Sequence, residues 1–177
     1  LPVGVWIGQR PRWANALQPI IQFLAAFPAN LLFPMVVILI VKHHLNVNIW
    51  TSPLMILGTQ WYILFNVIAG TQALSKPLLN AAHSLQLKRW LWWKKICLPG
   101  IFPYLITGTM TAAGGAWNAS ILAEFVEWGN TQLVATGLGA YIAQKTQSGE
   151  FTHLALGILV MCFYVLMLNR LIWQPLY

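Results

Sequence analysis

The chain has 177 residues, of which 58% are hydrophobic and only 7% charged, with a formal net charge of +7. Soluble domains carry about 25% charged residues, so the 10 basic and 3 acidic side chains present here cannot clothe a water-facing surface. The bases lie in short gaps between long apolar runs, not in one basic stripe, which excludes a nucleic-acid-binding module.

Taken in chain order, the charges act as rulers. Residues 13–41, 43–75, 96–123 and 151–169 contain no Lys, Arg, Asp or Glu. Each run supplies the roughly 20 apolar residues that a membrane-crossing helix needs. The expected spans are 17–42, 53–74, 100–125 and 151–172, preceded by a partial one at 1–8. The chain begins at Leu1-Pro2 without an initiator Met or a charged leader, and it reads as a piece of a longer protein whose first span is cut.

Charge bias sets the expected orientation. With Arg10 and Arg12 inside, Lys76, Lys88, Arg89, Lys94, Lys95 and Arg170 also fall inside, leaving only Lys42 and Lys145 outside. That is the positive-inside pattern of a multi-pass membrane protein, with the C-terminus on the inside. Trp13, Trp50, Trp90, Trp92, Trp93, Trp128 and Trp173 sit near the proposed interfaces, as aromatic belts do. Breakers within the runs (Pro28, Pro34, Pro103, Gly58, Gly70, Gly108, Gly114, Gly115, Gly157) would damage a soluble bundle, whereas neighbouring helices in lipid re-satisfy the freed backbone groups. Gly4-xxx-Gly8, Ala112-xxx-Ala116 and Gly115-xxx-Ala119 have the small-residue spacing of close helix contact.

Residues 128–149 contain no full span. The moderately apolar Leu133–Ile142 stretch reads as a short outer helix or a re-entrant segment. Glu124 and Glu127 are expected at an outer mouth or holding this segment, through pairing with Lys145.

The loop 75–99 holds five of the ten bases. Pro77 can open a helix. Leu78, Leu79, Ala82, Leu85, Leu87 and Leu91 supply an apolar side; Asn80, His83, Gln86, Lys88 and Arg89 are polar. The expectation is a short helix, a turn near Lys88 and a second segment reaching Leu98-Pro99, lying on the membrane surface or in a partner's groove.

Asn80-Ala81-Ala82, then Gln86, then Ile96-Cys97-Leu98-Pro99 resembles the EAA motif of ABC importer permeases at the same spacing. Asn80 stands where that motif has Glu, and Gln86 where it has Gly. Asn80 keeps hydrogen bonding without the charge, and the turn at Gln86 is expected to avoid positive φ or to shift. The resemblance covers nearly the whole chain. Pro2–Gly8 is similar to the end of the first core helix, and Phe27-Pro28 with Leu31-Leu32-Phe33-Pro34 to the start of the next. Gly114-Gly115-Ala116-Trp117-Asn118-Ala119-Ser120, Glu124 and Gly137-Leu138-Gly139 resemble the nitrate, sulfonate and taurine subgroup. Within it the match is most like the C-terminal half of a duplicated anion-type permease, whose close Asn169–Tyr177 resembles.

The resemblance implies an all-α integral membrane protein: one permease domain over 1–177, with a five-helix core, a cytoplasmic coupling loop and a short outer helix. It implies a permease subunit of an ATP-driven importer of a small anion. Its partners would be an ABC ATPase that carries the ATP and Mg, a second permease domain, an extracytoplasmic solute-binding protein and the lipid bilayer. No cofactor is expected in this chain. The ATPase-coupling residues implied are Asn80, Ala81, Ala82, His83, Leu85, Gln86, Lys88, Leu98 and Pro99.

Polar groups inside spans are candidates for a transport path. Asn66, Gly114, Gly115, Asn118 and Ser120 are singled out, on the expectation that the helix loosens at Gly114-Gly115 and bares N–H groups to an anion. Gln60, Thr107, Thr109 and Thr111 are also polar, the hydroxyls expected to bond back to helix carbonyls. An embedded enzyme would need a nucleophile–base or metal constellation. No Asp occurs, His153 is the one histidine in a span, and His43-His44 lacks nearby Cys, Asp or Glu. Cys97 and Cys162 show no disulfide or metal spacing, and no phosphate-binding loop is present. The competing class is a non-transporting structural or assembly membrane protein with a degenerate coupling loop.

Overall fold

A computed structural model describes residues 1–128 and 131–176. Gly129 and Asn130, in the expected outer segment, and Tyr177, the last residue of the closing motif, lie outside the described residues. In chain order the helices are α1 (Pro2–Gly8), α2 (Pro11–Ala26), α3 (Phe33–Lys42), α4 (Val47–Trp50), α5 (Ser52–Gln72), α6 (Lys76–Ser84), α7 (Arg89–Trp92) and α8 (Leu98–Ala123). Strands β1 (Phe125–Trp128) and β2 (Thr131–Val134) follow, then α9 (Leu138–Ser148), α10 (Phe151–Leu168) and α11 (Gln174–Leu176).

Among the described residues, three helical stretches are long and apolar enough to cross a membrane: Val47–Gln72, Trp90–Ala123 and Phe151–Leu176. A fourth is counted if α2 and the Ala29–Lys42 stretch make one broken span. The segment expected at 17–42 is therefore not one helix. It divides at Phe27-Pro28, with a short 3-10 turn over Ala29–Leu32. Proline disfavours helical backbone at the residue before it, and Pro28 itself is extended (ψ 102°).

The chain forms two compact units. The first comprises residues 1–26 and 61–112. Its core joins Val5, Val67, Cys97 and Ile101, all at 2% exposure or less, with Ile63, Trp92, Trp93 and Leu105 packed around them. A second cluster of Ile7, Ala14 and Ile21 rests on Trp61, Leu64, Phe65 and Ile68. The glycine pair of α1 is used as its spacing implies. A Cβ at Gly4 would stand 2.8 Å from Val67 Cγ1, and one at Gly8 2.7 Å from Thr71 Cβ. Lipid tails are as apolar as the side chains, so helices adhere here through close packing, which small residues permit.

The second unit comprises residues 27–60 and 113–176. Phe33, Leu54 and Ala123 form its buried cluster, with Val36, Met55 and Val126 against it. α10 lies on α9 with Gly157 facing Tyr141 and Ile142. Much of α10 is bare: Phe151 is 79% exposed, Leu159 67% and Leu166 68%. An apolar helix so exposed is solvated by hydrocarbon, not water.

The wide π-type turns Trp93–Cys97 and Asn169–Trp173 each end two residues before a proline, Pro99 and Pro175. A proline ring inside a helix clashes with the carbonyl four residues back and donates no hydrogen bond. Widening the preceding turn accommodates both effects without breaking the helix.

Candidate functional site

The segment between α5 and α8 builds one candidate site within the first unit. Ser75 is extended (φ −66°, ψ 139°) ahead of Lys76-Pro77. Proline suits a first helical turn, where its missing N–H would have no intrahelical partner. Ala82 faces inward at 4% exposure. Asn80, Ala81, His83, Leu85, Gln86 and Lys88 are exposed. Apolar side chains are left bare beside them: Leu79 at 37%, Leu85 at 70% and Trp90 at 74%. A cleft of about 670 Å³ opens here, lined by Leu79, Ala82, His83, Ser84, Gln86, Leu87 and Trp92.

α6 ends in a Schellman turn. Leu87 N donates to Ala82 O at 3.2 Å and Gln86 N to His83 O at 2.9 Å. That pattern places the residue after the C-cap in the left-handed region, and Gln86 has φ 47°. The expectation that the turn avoids positive φ, or shifts, is thus corrected. Left-handed backbone costs an L residue about 1–2 kcal/mol. Two satisfied carbonyls contribute about 0.5–1.5 kcal/mol each, so the hydrogen-bond pattern wins. Past the turn, Trp92 N donates to Lys88 O at 3.1 Å and opens α7. Leu98 and Pro99, both exposed, begin α8.

The expected path residues fall on different elements. In the first unit, the Asn66 side-chain amide donates to Tyr62 O at 2.8 Å. In the second, α8 carries the rest. Its helix is unbroken through Gly114-Gly115, so the expected loosening does not occur. Spanning backbone has no water to bond to, and intrahelical bonds are retained even at glycine. Gly114 and Asn118, one turn apart, are both exposed, and a Cβ at Gly114 would meet nothing within 4 Å. Gly115 is half-buried. Ser120 is buried, donates to Trp117 O at 2.8 Å, and lies under Gly139, where a Cβ would stand 2.5 Å from the Ser120 carbonyl carbon. The threonine hydroxyls bond back along α8: Thr107 to Pro103 O, Thr109 to Leu105 O and Thr111 to Thr107 O.

The outer segment differs from its sequence reading. Leu133 and Val134 belong to a hairpin, paired Val126 with Leu133 and Phe125 with Val134. The outer helix starts only at Leu138. A signal existed: Gly129-Asn130 separates two tetrads rich in strand formers, the pattern of a two-residue hairpin. Glu124 and Glu127 do hold this segment, but not through Lys145. Glu124 Oε2 accepts from Ala140 N at 3.0 Å, and Glu124 O accepts from Ala135 N at 2.7 Å. Glu127 accepts from the side-chain amides of Gln132 and Gln147. Asn48 Oδ1 accepts from Thr136 N at 2.7 Å, a tie that sequence reading missed.

Lys145 pairs instead with Glu150 at 2.8 Å, and His153 Nδ1 lies 3.1 Å from the same carboxylate. The Lys145 hydrogen bond foremost, with Ser148 and the nearby charges of Lys145 and His153, holds the Glu150 carboxyl below the usual carboxylate range against the opposing pull of desolvation.

A family model described as "Binding-protein-dependent transport system inner membrane component" matches residues 1–172. The chain is 29% identical over 171 residues to the bicarbonate transport system permease protein CmpB of Synechocystis sp., covering 96% of this chain and 58% of that protein. It is 27% identical over 172 residues to the nitrate import permease protein NrtB of Leptolyngbya laminosa, covering 97% and 58%. It is 26% identical over 160 residues to the taurine transport system permease protein TauC of Escherichia coli, covering 85% and 50%. The chain thus spans between half and three-fifths of the length of these relatives.

Proposed function

The chain belongs to the binding-protein-dependent transport system inner membrane components, and from that premise we propose that it is the membrane-spanning permease part of an ATP-driven importer of a small anion. Nitrate, bicarbonate and taurine are the cargoes named for its relatives. We propose one transmembrane permease domain that carries no cofactor, with ATP and Mg on a partner ATPase. A second permease domain completes the path, and an extracytoplasmic binding protein delivers the solute. The basic loops face the cytoplasm, as does the C-terminus.

The observation that carries the coupling role is α6. It is a short helix between two spanning helices, with Leu79 and Leu85 exposed outside the unit's core. An apolar helical face held on a well-closed turn fits a groove in a partner. In this reading Asn80, Ala81, Ala82, His83, Leu85, Gln86 and Lys88 meet the ATPase, and Leu98-Pro99 joins the docked segment to α8. Closure of the ATPase pair on ATP then moves α6, and the attached spans shift between two arrangements. Asn66 and the Gly114, Gly115, Asn118 and Ser120 stretch are proposed for the path. Gly114 and Asn118 are the best supported of these, because their shared face is open.

The test is co-purification of the full-length parent with its ATPase, repeated with Ala81→Asp and Leu85→Asp. Both changes place a charge on α6 and touch no span. Loss of the ATPase from inserted variants supports the reading; equal capture by wild type and variants refutes it.

A further inference from the structure

Among the described residues, positive φ occurs at His44 (50°), Gln86 (47°) and Gly149 (72°). All three close a helix with the same pair of hydrogen bonds. Leu45 N donates to Ile40 O and His44 N to Val41 O after α3; Leu87 N to Ala82 O and Gln86 N to His83 O after α6; Glu150 N to Lys145 O and Gly149 N to Thr146 O after α9. At α9 the left-handed residue is glycine, which adopts that backbone without strain. At α6 it is a glutamine, whose exposed side chain serves no hydrogen bond that closes the turn; both of those use backbone atoms. A glycine would close α6 equally well. His44 keeps the same strain, so strain alone does not assign a role; Gln86 is set apart by lining the cleft beside α6.

We propose that Gln86 is a specificity-determining residue of the α6 docking surface. Gln86 is exposed and lines the cleft together with His83 and Leu79, and its left-handed backbone sets the direction in which the side chain leaves the turn. A primary amide is both donor and acceptor and carries no charge. It therefore selects a partner that presents a complementary amide, hydroxyl or backbone group at this point. A partner shaped to a bare glycine turn would meet an extra side chain and an unpaired amide, and would be rejected on both counts. Asn80, on the same helix, is likewise an uncharged amide. Recognition by α6 then rests on neutral hydrogen bonds and shape, with Lys76 in its first turn and Lys88 past its closing turn.

The inference rests on the reading of α6 as the ATPase-docking helix, and the experiment separates the two. The full-length parent is purified in detergent as wild type, Gln86→Gly, Gln86→Asn and Leu85→Asp. The melting temperature of each is measured alone. Affinity is then measured for the ATPase subunit recovered with the wild-type protein. Gln86→Gly relieves the strained turn, so its melting temperature rises while its affinity falls about tenfold, the loss expected for one unpaired amide at an interface. Gln86→Asn, which tolerates left-handed backbone and keeps an amide, recovers part of that affinity. Unchanged affinity in Gln86→Gly alongside capture that Leu85→Asp abolishes overturns the role of Gln86 and leaves the docking helix standing. A lower melting temperature in Gln86→Gly also overturns it, because the side chain then serves the fold. Failure of the wild type to bind any ATPase overturns both readings.

Discussion

Glu124 Oε2 accepts a hydrogen bond from the Ala140 backbone N–H at 3.0 Å, so the residue that follows α8 holds the first turn of α9. The first N–H groups of a helix have no intrahelical partner, and a carboxylate there also meets the positive end of the helix dipole. Gly137 and Gly139 make the approach possible: a Cβ at Gly137 would collide with that carboxylate, and one at Gly139 with the Ser120 backbone. Glu124→Ala is expected to lower stability by about 1–2 kcal/mol and to speed amide exchange in α9. Glu124→Gln, which keeps an acceptor, is expected to lose less. Hydrogen exchange and melting in detergent read the difference; equal loss in both variants would assign the effect to charge alone.

Close packing of α1 makes a second prediction. Gly4→Ala and Gly8→Ala force new atoms against Val67 and Thr71, so each is expected to destabilise by about 1–3 kcal/mol. Gly114→Ala meets open space and gains helix propensity; its melting temperature should hold or rise. A matching loss at Gly114 would contradict the packing described.

The pH dependence near α9 and α10 has a definite sign. Glu150 has its folded pKa lowered, chiefly by the Lys145 hydrogen bond. Its contribution is therefore present above the unfolded carboxyl value of about 4.3, and it is lost as pH falls through the lower folded value. Wild type should melt above Glu150→Gln at neutral pH and lose that advantage in acid. Because Glu150 is exposed, added salt should shrink the gap. A gap that widens in acid would reverse the assignment.

Much of this organisation could be read from residue order. The charge-free runs located α5, α8 and α10 because a spanning helix must be long and apolar. The Pro77 start and the exposed face of α6 followed from first-turn proline chemistry and from leucine spacing. Three features were less legible. The strand pair Phe125–Trp128 and Thr131–Val134 carried a turn signal between its halves, but it lies next to an apolar stretch that helix and strand share, and period alone does not separate the two over so few residues. The tie of Asn48 to Thr136 joins positions far apart in sequence, and the role of Glu124 in holding this segment was legible but not its backbone partner at Ala140. The left-handed backbone at Gln86 defied a residue-type rule, because two hydrogen bonds outweigh one strained φ.

For the path, Asn118→Ala is expected to reduce uptake by tenfold or more while leaving capture of the ATPase unchanged, since Asn118 lies on α8 and is not part of α6 or its closing turn. Thr111→Val should be nearly silent, because its hydroxyl is already spent on Thr107 O at 2.9 Å. Comparable losses in both variants would place the path elsewhere.

The most direct measurement is ATP-dependent uptake of labelled nitrate and bicarbonate into proteoliposomes that hold the full-length parent and its ATPase, with the binding protein present, compared between wild type and Leu85→Asp. Wild type is expected to show uptake that needs ATP and the binding protein, and Leu85→Asp is expected to lose it although the variant still inserts. Uptake that survives Leu85→Asp would contradict the coupling role of α6, and a wild type that moves neither anion would contradict nitrate or bicarbonate as the cargo.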